Sequence, residues 1–425
     1  MLQLNYIREN KNEVVNRLKV RNFDAADLVE ELLKIDQIRR STQQELDANL
    51  AESKKLAKAI GQLFKEGKKD EAESAKSQTQ DLKEVSKKLQ EQLSEAEEKV
   101  QAILYEIPNV PNPMVPTGKS DQDNEVIEEA GSKPVLHENA KPHWDLANEY
   151  NLIDFELGVK ITGAGFPVYR GKGARLQRAM INFFLDHALE AGYEETQPPL
   201  LINEATGIGT GQLPDKEGQM YHTELDHLYL IPTAEVPITN IYRDVILKES
   251  EFPKKHCGYT PCFRREAGSY GKDVRGLNRL HQFDKVEIVQ VVHPDKSYEV
   301  LNEMVSYVRS LLEKLELPYR VAKLCGGDLG FTSALTFDLE VYSAAQDRWL
   351  EVSSISNFES FQANRLKCRY KDENGKTQLA HTLNGSALAF PRILAALLEN
   401  NQTEDYIRIP AALAKYTGFD KIEKA

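Results

Sequence analysis

The sequence predicts an α+β protein in which an antiparallel helical hairpin precedes a domain of mixed strands and helices. Proline is absent before Pro108, and four prolines then fall between Pro108 and Pro116. Residues 27–106 are dense in Lys, Glu, Gln, Ser and Ala and poor in aromatic residues, a composition typical of long exposed helices. After residue 118, strand-like runs alternate with helical periodicities. These observations predict two structural units of different character.

The N-terminal unit carries two apolar seams with spacings of three and four, as in a coiled coil. The first is Leu28, Leu32, Ile35, Arg39, Thr42, Leu46, Asn49, Ser53, Leu56, Ile60 and Leu63, and the second is Leu82, Val85, Leu89, Leu93, Ala96, Val100 and Ile103. Between them, residues 64–70 hold Gly67 among charged neighbours, which suits a turn. We expect two arms of roughly 55 Å each at ~1.5 Å rise per residue. A solvated arm, a dimerisation coiled coil and a helical spacer all remain open.

The domain boundaries follow from the change in composition. We assign residues 1–107 to the helical arm, 108–118 to an extended proline-rich linker and 119–425 to the α+β domain. Within the last, residues 285–292 (KVEIVQVV) predict a strand and residues 298–315 an amphipathic helix.

Charge and cysteine usage exclude several protein classes. The net charge of -12 argues against a generally basic nucleic-acid-binding protein, so any such contact would need a local basic patch. The four cysteines form no C-x-x-C pair, so we expect reduced thiols, no zinc and no disulfide frame. The first residues lack an apolar secretory core, and no run of 18 apolar residues occurs, which predicts a cytoplasmic protein without a membrane partner.

Two carboxylates interrupt apolar strand sequences, where an ionised group is costly to bury. Glu287 lies between Val286 and Ile288, and it either faces solvent or holds an ammonium ligand. Glu351 lies between Leu350 and Val352 and is followed by two serines. Because a carboxylate beside hydroxyls suits magnesium and phosphate oxygens, Glu351 is a candidate metal ligand.

Two arginines occupy positions that favour an anion. Arg392 follows Pro391 at the start of an apolar helical run, ILAALL, and so lies in a first helical turn, where the helix dipole disfavours a cation. It either meets an external anion or pairs with a surface carboxylate. Arg264 ends a strand beside a glycine-bearing loop with Gly268, Gly271 and Gly276, which suits a polyphosphate lying on a sheet.

Taken together, these elements resemble the three signature motifs of class II aminoacyl-tRNA synthetases. Residues 163–203 look like motif 1, residues 260–290 contain a stretch like motif 2, and residues 385–398 look like motif 3. Within the class, the bacterial-type seryl-tRNA synthetases are the most similar. The stretches that carry this likeness are 232–237 (PTAEVP), 264–269 (RREAGS), 281–287 (HQFDKVE), 351–357 (EVSSISN) and 381–386 (HTLNGS), and the N-terminal arm extends the likeness over nearly the whole chain.

The resemblance implies a fold and a set of site residues. The fold would be a class II antiparallel-sheet catalytic domain behind the coiled-coil hairpin. Arg264 and Arg392 would be catalytic, gripping the α- and γ-phosphates of ATP, and Glu351 with Ser354 would hold Mg²⁺. The implied ATP-binding residues are Arg264, Arg265, Glu266, Leu280, Glu351, Val352, Ser353, Ser354 and Arg392. The implied serine-binding residues are Thr233, Ala234, Glu235, Glu287 and Ser386, with Glu287 as counter-charge to the ammonium.

The implied activity is the two-step ligation of L-serine to tRNA(Ser) through seryl-adenylate, and to tRNA(Sec) where that tRNA exists. The arm would lie along the long variable arm of the tRNA, and motif 1 would build a homodimer with tRNA bound across subunits. One residue departs from the family pattern, because Pro391 stands where glycine usually precedes the motif 3 arginine. Two rivals stay open, namely a class II relative that loads a carrier protein and a non-enzymatic interaction protein with an inactive ligase fold.

Overall fold

The computed structural model describes residues 1–266 and 275–424. Backbone proximity divides the chain into two compact units. One comprises Leu2–Lys19 and Phe23–Pro108, and we call it the arm unit. The other comprises Met1, Val20–Asn22 and the described chain from Asn109 onward, and we call it the sheet unit. No helix in the described ranges is long and apolar enough to cross a membrane.

The arm unit is built on two long helices, as predicted. Its helices are α1 (Leu4–Glu9), α2 (Lys11–Leu18), α3 (Ala26–Lys65) and α4 (Lys69–Glu106). Helices α3 and α4 pack against each other along their length, and Gly67, with φ +79°, supplies the left-handed backbone of the turn between them. At ~1.5 Å per residue the 40 residues of α3 extend roughly 60 Å, so the expected antiparallel hairpin is confirmed.

The seam of the hairpin differs from the predicted one at Leu28, Ile35 and Val85, where a neighbouring residue is the more buried. Leu32, Leu46 and Leu93 are buried as expected, but Val85 is 46% exposed. Its neighbour Ser86 takes the inward position, and the Ser86 hydroxyl and the Asn49 amide oxygen are both buried without a hydrogen-bond partner. The prediction for Val85 was wrong because the more apolar of two adjacent residues was chosen, whereas the phase of the helix selects Ser86.

A buried carboxylate stabilises the base of the arm unit. Asp36 is 1% exposed and lies on the inner face of α3. Arg8 of α1 donates to it at 2.8 Å and Arg39 donates to it at 2.9 Å. The sequence predicted polar residues, among them Arg39, in the middle of the seam. The structure explains Arg39, because its guanidinium neutralises the buried Asp36 carboxylate.

The sheet unit is organised around an eight-stranded sheet with the order β1-β11-β12-β13-β16-β10-β9-β4. All neighbouring strands are antiparallel except β4, which pairs in parallel with β9 at one edge. Its strands are β1 (Glu125–Ala130), β4 (Glu194–Glu195), β9 (Lys254–Phe263), β10 (Gln282–Val292), β11 (Tyr319–Lys323), β12 (Leu335–Ser343), β13 (Arg348–Glu359) and β16 (His381–Ala389). The expected strand at 285–292 lies inside β10, and the predicted antiparallel α+β class is confirmed.

Smaller sheets surround this one. They contain β2 (Ile153–Asp154), β3 (Val168–Tyr169), β5 (Leu201–Ile202), β6 (His222–Thr223), β7 (Leu228–Leu230), β8 (Ile246–Lys248), β14 (Arg369–Lys371), β15 (Thr377–Leu379), β17 (Tyr406–Arg408) and β18 (Lys421–Glu423). The stretch resembling motif 1 contains a long helix followed by two short strands, β4 and β5.

The helices of the sheet unit cover the sheet and close its core. They are α5 (His143–Glu149), α6 (Phe155–Ile161), α7 (Gly171–Glu190), α8 (Glu204–Thr210), α9 (Glu235–Thr239), α10 (Ser297–Lys314), α11 (Ser360–Leu366), α12 (Phe390–Asn400) and α13 (Ala411–Thr417). Helix α10 lies within one residue of its predicted range at each end. Helix α12 has proline in its first turn, as expected from Pro391, and its apolar run is buried.

The proline-rich segment is bonded to the sheet unit from Asn109 onward. The backbone N–H of Asn109 donates to the carbonyl of Phe331 at 2.9 Å, and that of Asn112 donates to Ala334 at 2.8 Å. The Asn109 side chain is buried and donates to two further carbonyls, of Thr332 and Phe358. The segment is thus fixed by side-chain and backbone donors, even though its prolines supply none.

Candidate functional site

A cavity of about 580 Å³ opens on one face of the central sheet. Its walls come from β10, β13 and β16, from the start of α12 and from residues 277–280. Twelve of the fourteen site residues predicted from the sequence line it, namely Thr233, Glu235, Arg264, Glu266, Leu280, Glu287, Glu351, Val352, Ser353, Ser354, Ser386 and Arg392. The fold therefore gathers residues that lie up to 159 positions apart in the chain.

Two predicted residues do not line the cavity. Arg265 is exposed, and its backbone N–H donates to the carbonyl of Gln219 at 2.8 Å. Ala234 is fully buried directly before α9. Part of the predicted motif 2 loop, Ala267, Gly268, Ser269 and Gly271, lies outside the described residues.

One end of the cavity holds two buried carboxylates, and we call Glu235, Lys285, Glu287 and Asn384 the acid end. Glu287 is 1% exposed, and its carboxylate lies 2.6 Å from the Lys285 ammonium. The Asn384 amide donates to Glu287 at 3.1 Å and to Glu235 at 2.8 Å. The alternative that Glu287 faces solvent is wrong, because its strand presents it to the cavity rather than to water.

The acid end holds two buried carboxyl groups and one ammonium. Burial first, and the Glu287 carboxylate second, raise the pKa of Glu235 to about 7. Burial also raises the pKa of Glu287, although Lys285 opposes that shift. Two acids therefore share one ammonium in a water-poor site, and a second ammonium supplied by a ligand would stabilise both carboxylates.

Lys285 was missed from the sequence. It is 5% exposed and lies two residues before Glu287 on β10, so both side chains point to the same face of the sheet. A lysine inside a strand is ordinarily read as solvent-facing. The available signal was the period of two, which places Lys285 beside any inward-facing Glu287.

The other end of the cavity is built around two arginines, and we call Arg264, Arg392 and Glu351 the arginine end. Arg392 donates through Nη1 to the Glu351 carbonyl at 2.7 Å and through Nε to the Asn278 carbonyl at 3.2 Å. Its Nη1 also lies 3.6 Å from the Glu351 carboxylate. Arg392 therefore pairs with a carboxylate, which is one of the two alternatives raised from the sequence, and it also lines the cavity.

Arg264 is held by an aromatic face and a carbonyl. Its guanidinium lies 5.3 Å from the centre of the Phe283 ring, and its Nε donates to Pro232 O at 3.4 Å. Glu266, two residues later, is paired with Arg279. This arrangement leaves a planar cation fixed by stacking, which is a suitable partner for a phosphate or carboxylate.

A β-bulge places Glu351 and Ser354 on one face of β13. Three residues apart, they would point to opposite faces of a regular strand. Val352 is the extra residue, since Glu351 pairs with Glu340 whereas Ser353 pairs with Leu339. The register shift therefore brings the carboxylate and the hydroxyl onto the side of the cavity.

Asp338 lies opposite Ser354 on the neighbouring strand β12 and was not predicted. The Ser354 hydroxyl bonds to its carboxyl group, whose Oδ1 is buried without a hydrogen-bond partner. Burial and the nearby Glu351 carboxylate raise the pKa of Asp338 well above its usual range. No group of three or more His, Cys, Asp or Glu residues that could hold a metal occurs in the described part of the chain. Two carboxylates and a hydroxyl nevertheless fit magnesium, which is ordinarily held by one or two carboxylates together with substrate phosphates.

Known proteins resemble this chain over both of its units. The profile described as seryl-tRNA synthetase N-terminal domain matches residues 1–111, and that described as tRNA synthetase class II core domain (G, H, P, S and T) matches residues 220–401. A serine–tRNA ligase of Salinibacter ruber is 52% identical over 424 residues, covering 99% of both chains. The chain belongs to the seryl-tRNA synthetase family.

Solved structures extend the likeness to the whole chain. A seryl-tRNA synthetase from Pyrococcus horikoshii complexed with ATP matches with a TM-score of 0.93 at 34% identity and covers 100% of both chains. A cytoplasmic serine–tRNA ligase from Naegleria fowleri in complex with AMP matches with a TM-score of 0.87 at 26% identity, covering 100% of this chain and 99% of the other. The resemblance inferred from the motifs is thus confirmed at the level of family and fold.

Proposed function

We propose that the chain activates L-serine with ATP and transfers it to tRNA. The observation that carries this proposal is the division of one cavity into an acid end, where two carboxylates share the Lys285 ammonium, and an arginine end suited to phosphates. Serine would place its ammonium between Glu235 and Glu287 and direct its carboxylate towards Arg264. Thr233 and Ser386 line the same region and supply hydroxyls for the serine side chain.

The first step forms seryl-adenylate. A serine carboxylate oxygen attacks the α-phosphorus of ATP, a P–O bond forms, and the bond to the β-phosphate breaks to release pyrophosphate. Such a reaction requires positioning and charge neutralisation more than a side-chain base. Arg264 would neutralise the α-phosphate and Arg392 the γ-phosphate, and Glu266 and Leu280 would contact the adenine side of the nucleotide.

Magnesium fits the region between Glu351, Ser354 and Asp338. When bound there it would neutralise phosphate charge, which is its ordinary role with nucleotides. Ser354 would present its oxygen because its hydroxyl donates a hydrogen bond to the Asp338 carboxylate. Glu351 would remain available because Arg392 contacts its backbone carbonyl more closely than its carboxylate. The backbone carbonyl of Glu351 would thus bind Arg392, and its side chain would bind magnesium.

In the second step, the seryl group would pass to the 3′ hydroxyl of the terminal ribose of tRNA(Ser), or of tRNA(Sec) where it exists. The outer half of the α3–α4 hairpin supports this partner. Residues 54–88 hold ten exposed lysines against six acidic residues, a net charge of +4 within a chain of net charge -12. Local positive charge of this kind suits a phosphate backbone read by shape.

Two further assignments belong to the proposal. Motif 1 residues on α7, β4 and β5 would form a homodimer with tRNA bound across subunits. The setting would be the cytoplasm, since the four cysteines are free, buried thiols of the kind that persist in a reducing compartment.

Amino-acid-dependent ATP–pyrophosphate exchange tests the activation step. We expect exchange with serine and Mg²⁺ but not with alanine, threonine or glycine, and we expect Glu287→Ala to abolish it. Transfer to tRNA is then measured with the same protein. Serine-dependent exchange followed by transfer to a carrier protein and not to tRNA would favour the carrier-loading relative. No exchange with any amino acid would favour the inactive interaction protein.

A further inference from the structure

Residues 275–280 return from the motif 2 region to β10, and we call them the return limb. Leu277, Asn278 and Leu280 of this limb line the cavity, and Arg392 of the arginine end donates to the Asn278 carbonyl. We propose that a buried pair outside the cavity, His143 and Glu399, holds the return limb in place and thereby sets the affinity for ATP. The inference rests on the proposed function, because it concerns how that site is kept in shape.

The pair is completely buried, and its geometry fixes the histidine tautomer. His143 opens α5, and Glu399 lies in the last turn of α12, both at 0% exposure. The backbone N–H of Leu277 donates to His143 Nε2 at 2.8 Å, so that nitrogen carries no proton. The ring proton is therefore on Nδ1, which donates to Glu399 at 2.7 Å. A neutral imidazole thus connects the limb backbone to a buried carboxylate.

Glu399 also holds the limb through a second route. Its carboxylate accepts from the backbone N–H of His143, from the Ser343 hydroxyl and from the Gln346 amide at 2.9 Å. The Asn278 side chain donates in turn to the Gln346 amide oxygen at 3.1 Å. Two successive limb residues, one by backbone and one by side chain, are therefore attached to a single carboxylate.

The limb approaches the imidazole so closely that only glycine fits at the contact. Gly276 has φ +63°, and a Cβ atom added there would lie 2.3 Å from His143 Nε2. Beside it, the Arg275 guanidinium stacks over the Trp144 ring at 5.3 Å. The first two limb residues thus rest on the first two residues of α5.

Helix α12 fixes both the limb and the motif 3 arginine. Arg392 donates directly to the Asn278 carbonyl at 3.2 Å. Glu399 follows seven residues later, about two turns along the same helix face. One rigid helix therefore sets the distance between the arginine that faces ATP and the limb that covers the nucleotide side. His143 and Glu399 do not line the cavity, so they are positioning residues rather than catalytic ones.

The test compares His143→Leu with His143→Gln in the full-length protein. We expect His143→Leu to raise the KM for ATP by about tenfold or more, the equivalent of one lost buried hydrogen bond, while the KM for serine stays within about twofold. His143→Gln should recover most of the loss, because its amide oxygen restores an acceptor for Leu277 N–H. Amide exchange within the return limb should be faster in the leucine variant than in the glutamine variant.

His256→Leu is the matched control. His256 is also buried, bonds to Tyr242 and Thr196, and does not line the cavity. It should lower the melting temperature and leave the KM for ATP unchanged. An unchanged KM for ATP in His143→Leu, or equal rises for ATP and serine, would overturn the inference.

Two further results have to be distinguished, an unfolded His143→Leu variant and a wild-type protein without exchange activity. If His143→Leu does not fold, Gly276→Ala is the substitute test. Its added methyl group would collide with the His143 ring and displace the return limb, so it should raise the KM for ATP alone. A Gly276→Ala protein that folds and binds ATP normally contradicts the inference. If the wild-type protein shows no serine-dependent exchange, the proposed function fails, whereas limb amide exchange in the free protein still decides whether His143 holds the limb.

Discussion

The two ends of the cavity handle charge in opposite ways. At the acid end, Glu235, Lys285 and Glu287 are each no more than 5% exposed, and burial raises the pKa of both acids. At the arginine end, the side chains of Arg392 and Glu351 are 29% and 48% exposed. A buried charge must be matched closely, whereas a half-exposed one is screened by water. The acid end is therefore suited to selecting one small zwitterion, and the arginine end to holding a large polyanion.

The largest expected effect comes from removing charge at the acid end. Glu287→Leu removes the direct ion-pair partner of the buried Lys285 ammonium, so both stability and serine activation should fall, the latter by at least about 100-fold. Adding Lys285→Met should restore the melting temperature but not activation, because the buried ammonium is removed and Glu235, whose pKa burial raises to about 7, can become neutral. Recovery of exchange in the double variant would show that the acid end serves folding rather than serine recognition.

At the arginine end we expect a smaller effect that depends on geometry. Arg392→Lys keeps the charge but cannot reach the two carbonyls of Glu351 and Asn278 together. The KM for ATP should rise by about tenfold and the KM for serine should change little. Equal rises in the KM for ATP and the KM for serine would contradict the assignment of the two ends of the cavity to different ligands.

Charge in the arm should affect neither end of the cavity. Substituting glutamine at Lys54, Lys58, Lys83 and Lys87 should lower tRNA aminoacylation by about tenfold and weaken its salt dependence, since phosphate contacts are lost. Exchange without tRNA should be unchanged. A control variant carries the same change at four lysines of the sheet unit, Lys248, Lys314, Lys371 and Lys376. Equal loss of aminoacylation in that control would assign the effect to overall charge.

The mildest test is the pH dependence of serine affinity. Glu235 has a pKa of about 7, so it is protonated below that pH and cannot neutralise an ammonium. The KM for serine should therefore rise as the pH falls from about 8 to about 6, by at most about tenfold per pH unit below 7. Glu235→Gln should flatten this dependence. A pH profile for serine that matches that of ATP would contradict a role for Glu235.

The features predicted well from the sequence were those in which the charge of a residue is unfavourable in its local sequence. Glu287 stands in an apolar strand, and Arg392 stands in a first helical turn after Pro391. Both unfavourable placements are local, so a single sequence reveals them. The α3–α4 hairpin was predicted for the complementary reason, because its periodicity is long and continuous.

The features that were missed depend on contacts between distant elements. Lys285 is an ordinary lysine until β10 turns it inward beside Glu287. Glu399 ends an apolar helix and could have been flagged by the reasoning applied to Glu287, but its partner His143 lies 256 positions away. Asp338 becomes a candidate site residue only when the pairing of β12 with β13 places it opposite Ser354. Sequence spacing shows which residues share a face and does not show what that face meets.

The extra residue Val352 has a consequence for how the site can change. Deleting it would alter no charged or hydroxyl group, yet Glu351 would turn to the opposite side of the sheet from Ser354. Whether the carboxylate and the hydroxyl share a face therefore depends on the number of residues between Glu351 and Ser354 as much as on the identity of those two residues. Replacement of side chains can tune this part of the site gradually, whereas a single-codon deletion would remove it in one event.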